Sequence, residues 1–194
     1  EDQASQFAIL KEVMSEQNLV VQDLSWTRTY QLRLSIAALF DDPVAQAAIP
    51  AISKVKIVTA AKSKVSGLQL LAWISEQCGW NTASELISTD SSEGGYRFEN
   101  PQGGMIEVSV LTADDSAAIG LVEISAGDVT ISINQVKGEH LLHLKLEANG
   151  YVLEQSAPAD SAEIVGLVRD QLSRGGKNSL FRKVYPRFIE ILNI

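Results

Sequence analysis

Apolar and polar residues alternate in three stretches of the second half of the chain. Ile106, Val108 and Val110 alternate with Glu107 and Ser109; Val129, Ile131 and Ile133 with Thr130, Ser132 and Asn134; Leu142, Leu144 and Leu146 with His143, Lys145 and Glu147. A period of two gives each segment one apolar and one wet face, as in strands that are covered on one side. Residues with turn chemistry separate them: Gly94-Gly95, Gly103-Gly104, Gly127-Asp128, Gly138 and Asn149-Gly150, the last a pair favoured by type I′ hairpins. Residues 84–157 are therefore expected to form an antiparallel meander of about five to seven strands.

The first half follows a longer period. Phe7 to Met14 reads as a short helix, broken by the polar Ser15 to Asn18. A second helix is expected from Trp26 to Phe40, capped by Asp23 or Ser25, with Tyr30, Leu34, Ala37 and Ala38 at steps of three and four. Asp42-Pro43 restarts a short helical turn that Pro50 ends. Ile52 to Ala60 is an amphipathic strand, with Lys54 and Lys56 facing water against Val55, Ile57 and Thr59. Ser66 to Cys78 is a helix apolar on more than one side, closed by Gly79 in a left-handed conformation.

After the meander, Asp160 and Glu163 have the spacing of a capping box, and Ile164, Leu167, Val168 and Leu172 form a helical stripe. Gly175-Gly176 interrupts it. A final helix starts near Ser179, with Phe181, Val184, Tyr185, Phe188 and Leu192 on one side, and Pro186 is expected to kink or restart it. This order gives an α+β class: an antiparallel meander sheet with helices packed on one face. Residues 1–22 read as an N-terminal helical appendage or linker and 23–194 as the domain proper.

Charge narrows the partners. With 24 acidic and 16 basic residues the formal net charge is −8, which opposes binding to phosphate backbones and anionic lipid. No apolar run approaches the roughly 18 residues of a membrane span. The single cysteine, Cys78, forms no internal disulfide and fits a reducing, cytoplasmic setting. Glu1 stands where an initiating methionine would, so the chain is expected to be a piece of something longer.

Motifs for catalysis are absent: there is no G-x-S-x-G, H-E-x-x-H or G-x-G-x-x-G, and Gly176-Lys177 lacks the first glycine and the serine or threonine of a P-loop. On a strand His140 and His143 fall on opposite faces, which disfavours a shared metal. No cofactor or metal is expected. Asp114 and Asp115 read as turn residues. Charge is segregated: residues 174–194 hold Arg174, Lys177, Arg182, Lys183 and Arg187 against Glu190 alone. The acid-free stretch from Pro43 to Ser75 adds Lys54, Lys56, Lys62 and Lys64. Such patches suit either a solvated surface or the steering of an acidic protein or a phosphorylated metabolite.

Three segments bear a family likeness. Asp23 to Trp26 reads D-L-S-W and is followed by Arg28, Arg33 and Phe40-Asp41; Ser66 to Trp80 reads S-G-L-Q-L-L-A-W-I-S-E-Q-C-G-W; and Leu167 to Phe181 contains L-V-R-D-Q-L-S-R-G-G-K-N-S-L-F. In this order they resemble the carboxy-terminal part of OpcA, the bacterial glucose-6-phosphate dehydrogenase assembly family, from about Asp23 to Tyr185. The resemblance implies a cytoplasmic, non-catalytic accessory protein. It would bind glucose-6-phosphate dehydrogenase and promote its assembly and allosteric activation in the oxidative pentose phosphate pathway. Nucleic acid and membrane are not implied as partners. The exposed side chains expected to meet the partner are Arg28, Arg33, Arg182, Lys183 and Arg187, with Trp26 and Trp80 as aromatic anchors; Trp73 is expected in the core. Two rival readings are a small-ligand module that binds a sugar phosphate or nucleotide, and a hydrolase built on His140 or His143.

Overall fold

The computed structural model describes residues 3–16, 21–83, 94–174 and 179–193. Among the described residues eight strands form one sheet: β1 (Ile52–Thr59), β2 (Asn81–Thr82), β3 (Gly94–Glu99), β4 (Met105–Thr112), β5 (Ile119–Ala126), β6 (Val129–Asn134), β7 (Leu141–Ala148) and β8 (Tyr151–Pro158). Their spatial order is β2-β3-β4-β1-β5-β6-β7-β8. The sheet is thus larger than the expected five to seven strands and is not a pure meander. β1 inserts between β4 and β5, parallel to the former and antiparallel to the latter. Local alternation identifies strands but says nothing of which distant strand inserts between two others. Gly94-Gly95, expected in a turn, opens β3; the expected strand region at residues 84–93 lies outside the described residues.

The register carries one apolar row straight across: Tyr96, Val108, Val55, Ile124, Ile131, Leu146 and Leu153. The row beside it on the other face runs Ser109, Lys56, Glu123, Ser132, Lys145 and Glu154. One face is therefore the core and the other is polar. At Asn149-Gly150 the turn differs from type I′, which needs positive φ at both residues: only Gly150 has it, at 81°.

Helices cover the apolar face. They are α1 (Gln3–Glu16), α2 (Leu24–Thr27), α3 (Tyr30–Phe40), α4 (Pro43–Ala48), α5 (Lys64–Gln77), α6 (Ile164–Arg174) and α7 (Ser179–Leu192). α5 lies on β1 and β4, α3 on β7 and β8, and α4 on β6, while α7 packs outside α5 and α1 packs on α7. The run Ser66 to Ser75 of α5 is wholly buried, as expected of a helix covered on two sides, and Gly79 closes it at φ 66°. Of the break expected at Ser15 to Asn18, Ser15 and Glu16 continue α1 and residues 17–18 lie outside the described residues, as does Gly175-Gly176. α7 runs through Pro186.

The expected single helix from Trp26 to Phe40 is two. Asp23 Oδ1 accepts the amides of Ser25 (2.7 Å) and Trp26 (3.1 Å) and so caps α2. The Trp26 carbonyl then accepts the Thr29 amide (3.2 Å), the Thr29 hydroxyl (2.9 Å) and Arg33 Nη1 (2.9 Å), which ends the helix at Thr27. The buried face of α3 is Leu32, Ile36 and Leu39, whereas Leu34, Ala37 and Ala38 face outward. α3 is apolar on both sides, so period alone could not choose between them.

Close approach of α5 to β1 is set by Gly67. A Cβ there would lie 2.7 Å from Thr59 Cγ2, on a residue with no exposed surface. Gly67→Ala should therefore destabilise the fold by about 1–3 kcal/mol, outweighing the roughly 1 kcal/mol that alanine contributes to a helix. Thermal unfolding of the variant measures the sign directly.

Candidate functional site: a charged cleft and an uncovered helix

Because β1 inserts between β4 and β5, residues 113–118 must cross the carboxyl end of β1. They are held there by Ala113 N to Thr59 O (2.9 Å) and Ala60 N to Ala117 O (3.2 Å). Beside this crossing lies a cleft of about 440 Å³ that collects the charged side chains of Arg28, Lys62, Asp114, Lys137 and Asp160, together with His140, from distant segments. Leu32, Ile119 and Leu142 supply apolar wall.

Several of these charges are already committed. Lys137 Nζ bonds Asp115 at 2.9 Å, and Glu139, also on the cleft, bonds His143 Nε2 at 3.0 Å. Asp160 does not build the expected capping box. Its Oδ2 instead accepts the Gln31 amide at 2.8 Å, capping α3, whose own Thr29 makes no side-chain cap. Ser161 Oγ accepts the Glu163 amide at 3.3 Å ahead of α6. Arg28 is half-buried, and among the described residues its guanidinium makes one hydrogen bond, Nη1 to Ala162 O, long at 3.5 Å. Desolvation lowers its pKa, and the charge of Asp160 works in the opposite direction.

The residues expected to meet a partner fall into three environments. Trp26 (2% exposed), Arg33 (6%) and Trp80 (1%) are inside the protein. The Arg33 guanidinium lies 3.6 Å from the Trp26 ring centroid, and the other side of this cluster is Phe181, 5.3 Å from Trp26 between centroids. Trp80 packs on Phe98. The expectation that Arg33 is exposed therefore fails: stacking on Trp26 and two local acceptors satisfy a charge that sequence placed at the surface. Arg28 lines the cleft. Arg182, Lys183 and Arg187 lie along α7: Lys183 is exposed and 3.7 Å from Glu76, and Arg187 pairs with Glu190 at 2.8 Å with 17% of its side chain exposed. Arg182 flanks a shallow groove with Lys11 and Met14 of α1. Trp73 is buried, as expected.

α6 departs most from expectation. Of its expected stripe only Leu167 is buried; Ile164 (65%), Val168 (40%) and Leu172 (78%) are exposed, and so is Val165 (78%) beside them. Leu167 and a hydrogen bond from Thr27 Oγ1 to Gln171 Oε1 (2.5 Å) hold α6 to α2. Steps of one, three and four residues put the four exposed side chains on one side of the helix. The stripe is present, but apart from Leu167 it lies on the exposed side of the helix.

The histidines are both exposed: His143 is on β7 and His140 just precedes it. Cys78 is a free, partly buried thiol whose pKa burial pushes up to about 11. At pH 8 iodoacetamide should alkylate it roughly a hundredfold more slowly than in denaturant, where a thiol titrates near 8.5. Thiol protonation also contributes stability below the unfolded pKa, and this is lost as pH rises from about 9 through 11.

Over residues 19–185 the sequence matches the family described as the C-terminal domain of a glucose-6-phosphate dehydrogenase subunit. The chain belongs to that family, the OpcA C-terminal family. No curated protein sequence matches. Among solved structures, this OpcA-family chain resembles a 3-ketoreductase from Actinomadura kijaniata crystallised with NADP, at TM-score 0.64 and 13% identity, over 99% of this chain and 65% of the enzyme. The open conformation of that enzyme with TDP-benzene and NADP gives TM-score 0.64 at 12% identity with the same coverage. At such identity the likeness is one of fold, and the chain spans about two thirds of the enzyme's length. Among the described residues of the OpcA-family chain, no helix is long and apolar enough to cross a membrane.

Proposed function

We propose that this chain acts as a non-catalytic accessory protein that binds glucose-6-phosphate dehydrogenase and promotes its assembly and allosteric activation in the oxidative pentose phosphate pathway. The family match over residues 19–185 carries the choice of partner. The uncovered apolar side of α6 gives the contact a surface: four aliphatic side chains on one helix, 40–78% exposed, form the kind of helix face that proteins bury against a partner.

Binding activates only if the active form of the dehydrogenase is bound more tightly than the inactive form. Lys183 and Arg182 on α7 are the cationic residues best placed to steer an acidic surface, whereas Trp26, Arg33 and Trp80 serve the fold that presents α6. The test is a titration of dehydrogenase activity with the chain. A saturable rise in rate, with no turnover by the chain alone, supports the proposal. A flat titration together with hydride transfer by the isolated chain points to an enzyme.

A further inference from the structure

We propose that the cleft at the end of β1 is a binding site for a small phosphate ester of about hexose monophosphate size, its phosphate held by Arg28, Lys62 and His140. The location is suited to a ligand: it lies outside the carboxyl ends of the parallel pair β1 and β4, where the chain splits to either side of β1. Its volume of about 440 Å³ falls within the usual range of small-molecule pockets.

The lining balances Arg28, Lys62 and Lys137 against Asp114, Glu139 and Asp160, but Arg28 and Lys62 keep donors that a ligand can use. Lys137 and Glu139 are each spent on a neighbour, and Asp160 is engaged by the Gln31 amide. Lys62 and His140 hold no ion pair among the described residues; the opposing carboxylates are Asp114, exposed on the crossing segment, and Asp160, whose charge acts on Arg28. Arg28 is the anchor. A guanidinium has five N–H donors in a fixed fork; here it is half-buried with one long contact to a carbonyl. The donors it does not spend on protein acceptors can take a phosphate oxygen pair in bidentate geometry. The Gln135 and Ser161 side chains, on the same walls, match the hydroxyl groups of the ester. Ala162, which accepts from Arg28, is two residues before α6, so a bound ester would touch the segment that positions the proposed docking helix.

Titration calorimetry of the whole chain with a hexose monophosphate, inorganic phosphate and the free hexose tests the assignment. The expected order is saturable binding of the ester, weaker binding of phosphate and none of the free sugar. Arg28→Gln and Lys62→Gln should each weaken the ester about tenfold, the scale of one lost charge-assisted hydrogen bond. Lys54→Gln, on the polar face of the sheet, should leave it unchanged. Each variant is checked by its melting temperature; if Arg28→Gln does not fold, Lys62→Gln decides. No saturable binding, equal affinity in Lys62→Gln and the parent, or binding of the free sugar as tight as the ester would overturn the assignment. No partner protein is present, so this result is independent of dehydrogenase docking.

Discussion

Replacing Val165 and Leu172 of α6 together by glutamate is expected to weaken the complex with the dehydrogenase by roughly thirtyfold or more while leaving the chain as stable as before. Both side chains are 78% exposed, so the folded chain loses almost no burial, and surface substitutions of this kind usually stay within about 0.5 kcal/mol. Glutamate also favours helix slightly over valine. In a complex the same positions would bury two carboxylates without partners, and central interface positions cost about 2 kcal/mol or more when disrupted. Fluorescence anisotropy of the labelled chain against the dehydrogenase, with thermal melts in parallel, separates the two effects. A drop in melting temperature with unchanged affinity would place α6 in the fold and not in the contact.

Trp26→Ala has the opposite signature. The indole is 2% exposed, packs on Phe181 and lies under the Arg33 guanidinium. Its removal opens a large cavity between α2 and α7 and takes the stacking surface from a buried cation. The expected loss is about 3–5 kcal/mol, which for a chain of this size lowers the melting temperature by roughly 10 °C. Binding by the fraction that remains folded should be nearly unchanged. An anchor at the partner interface would show the reverse: a normal melt and a large loss of affinity.

The contrast between Trp26 and Val165 shows where sequence was informative. The D-L-S-W and L-L-A-W segments identified the family because they are packing motifs: the Asp23 cap, the Trp26–Arg33 stack and the buried length of α5 are local consequences of those residues. Strand period likewise gave β1, β4, β6 and β7 and their wet faces. Topology was not legible, since nothing in the alternation of β4 and β5 says that β1 comes between them. The cleft depends on that insertion. It joins Arg28 to Lys62, Lys137 and Asp160, residues far apart in the chain that line it together, and no spacing rule connects them. Exposure was the other failure. A stripe such as Ile164, Leu167, Val168 and Leu172 reads the same whether it faces a core or a partner, and a surface-seeking arginine such as Arg33 reads the same whether or not an indole waits beneath it.

Sedimentation of the chain mixed with the dehydrogenase at micromolar concentration, with activity assayed across the same boundary, addresses the central claim most directly. The account predicts one faster species that contains both polypeptides and carries a higher specific activity than the dehydrogenase alone. Two independent boundaries with unchanged activity would contradict it.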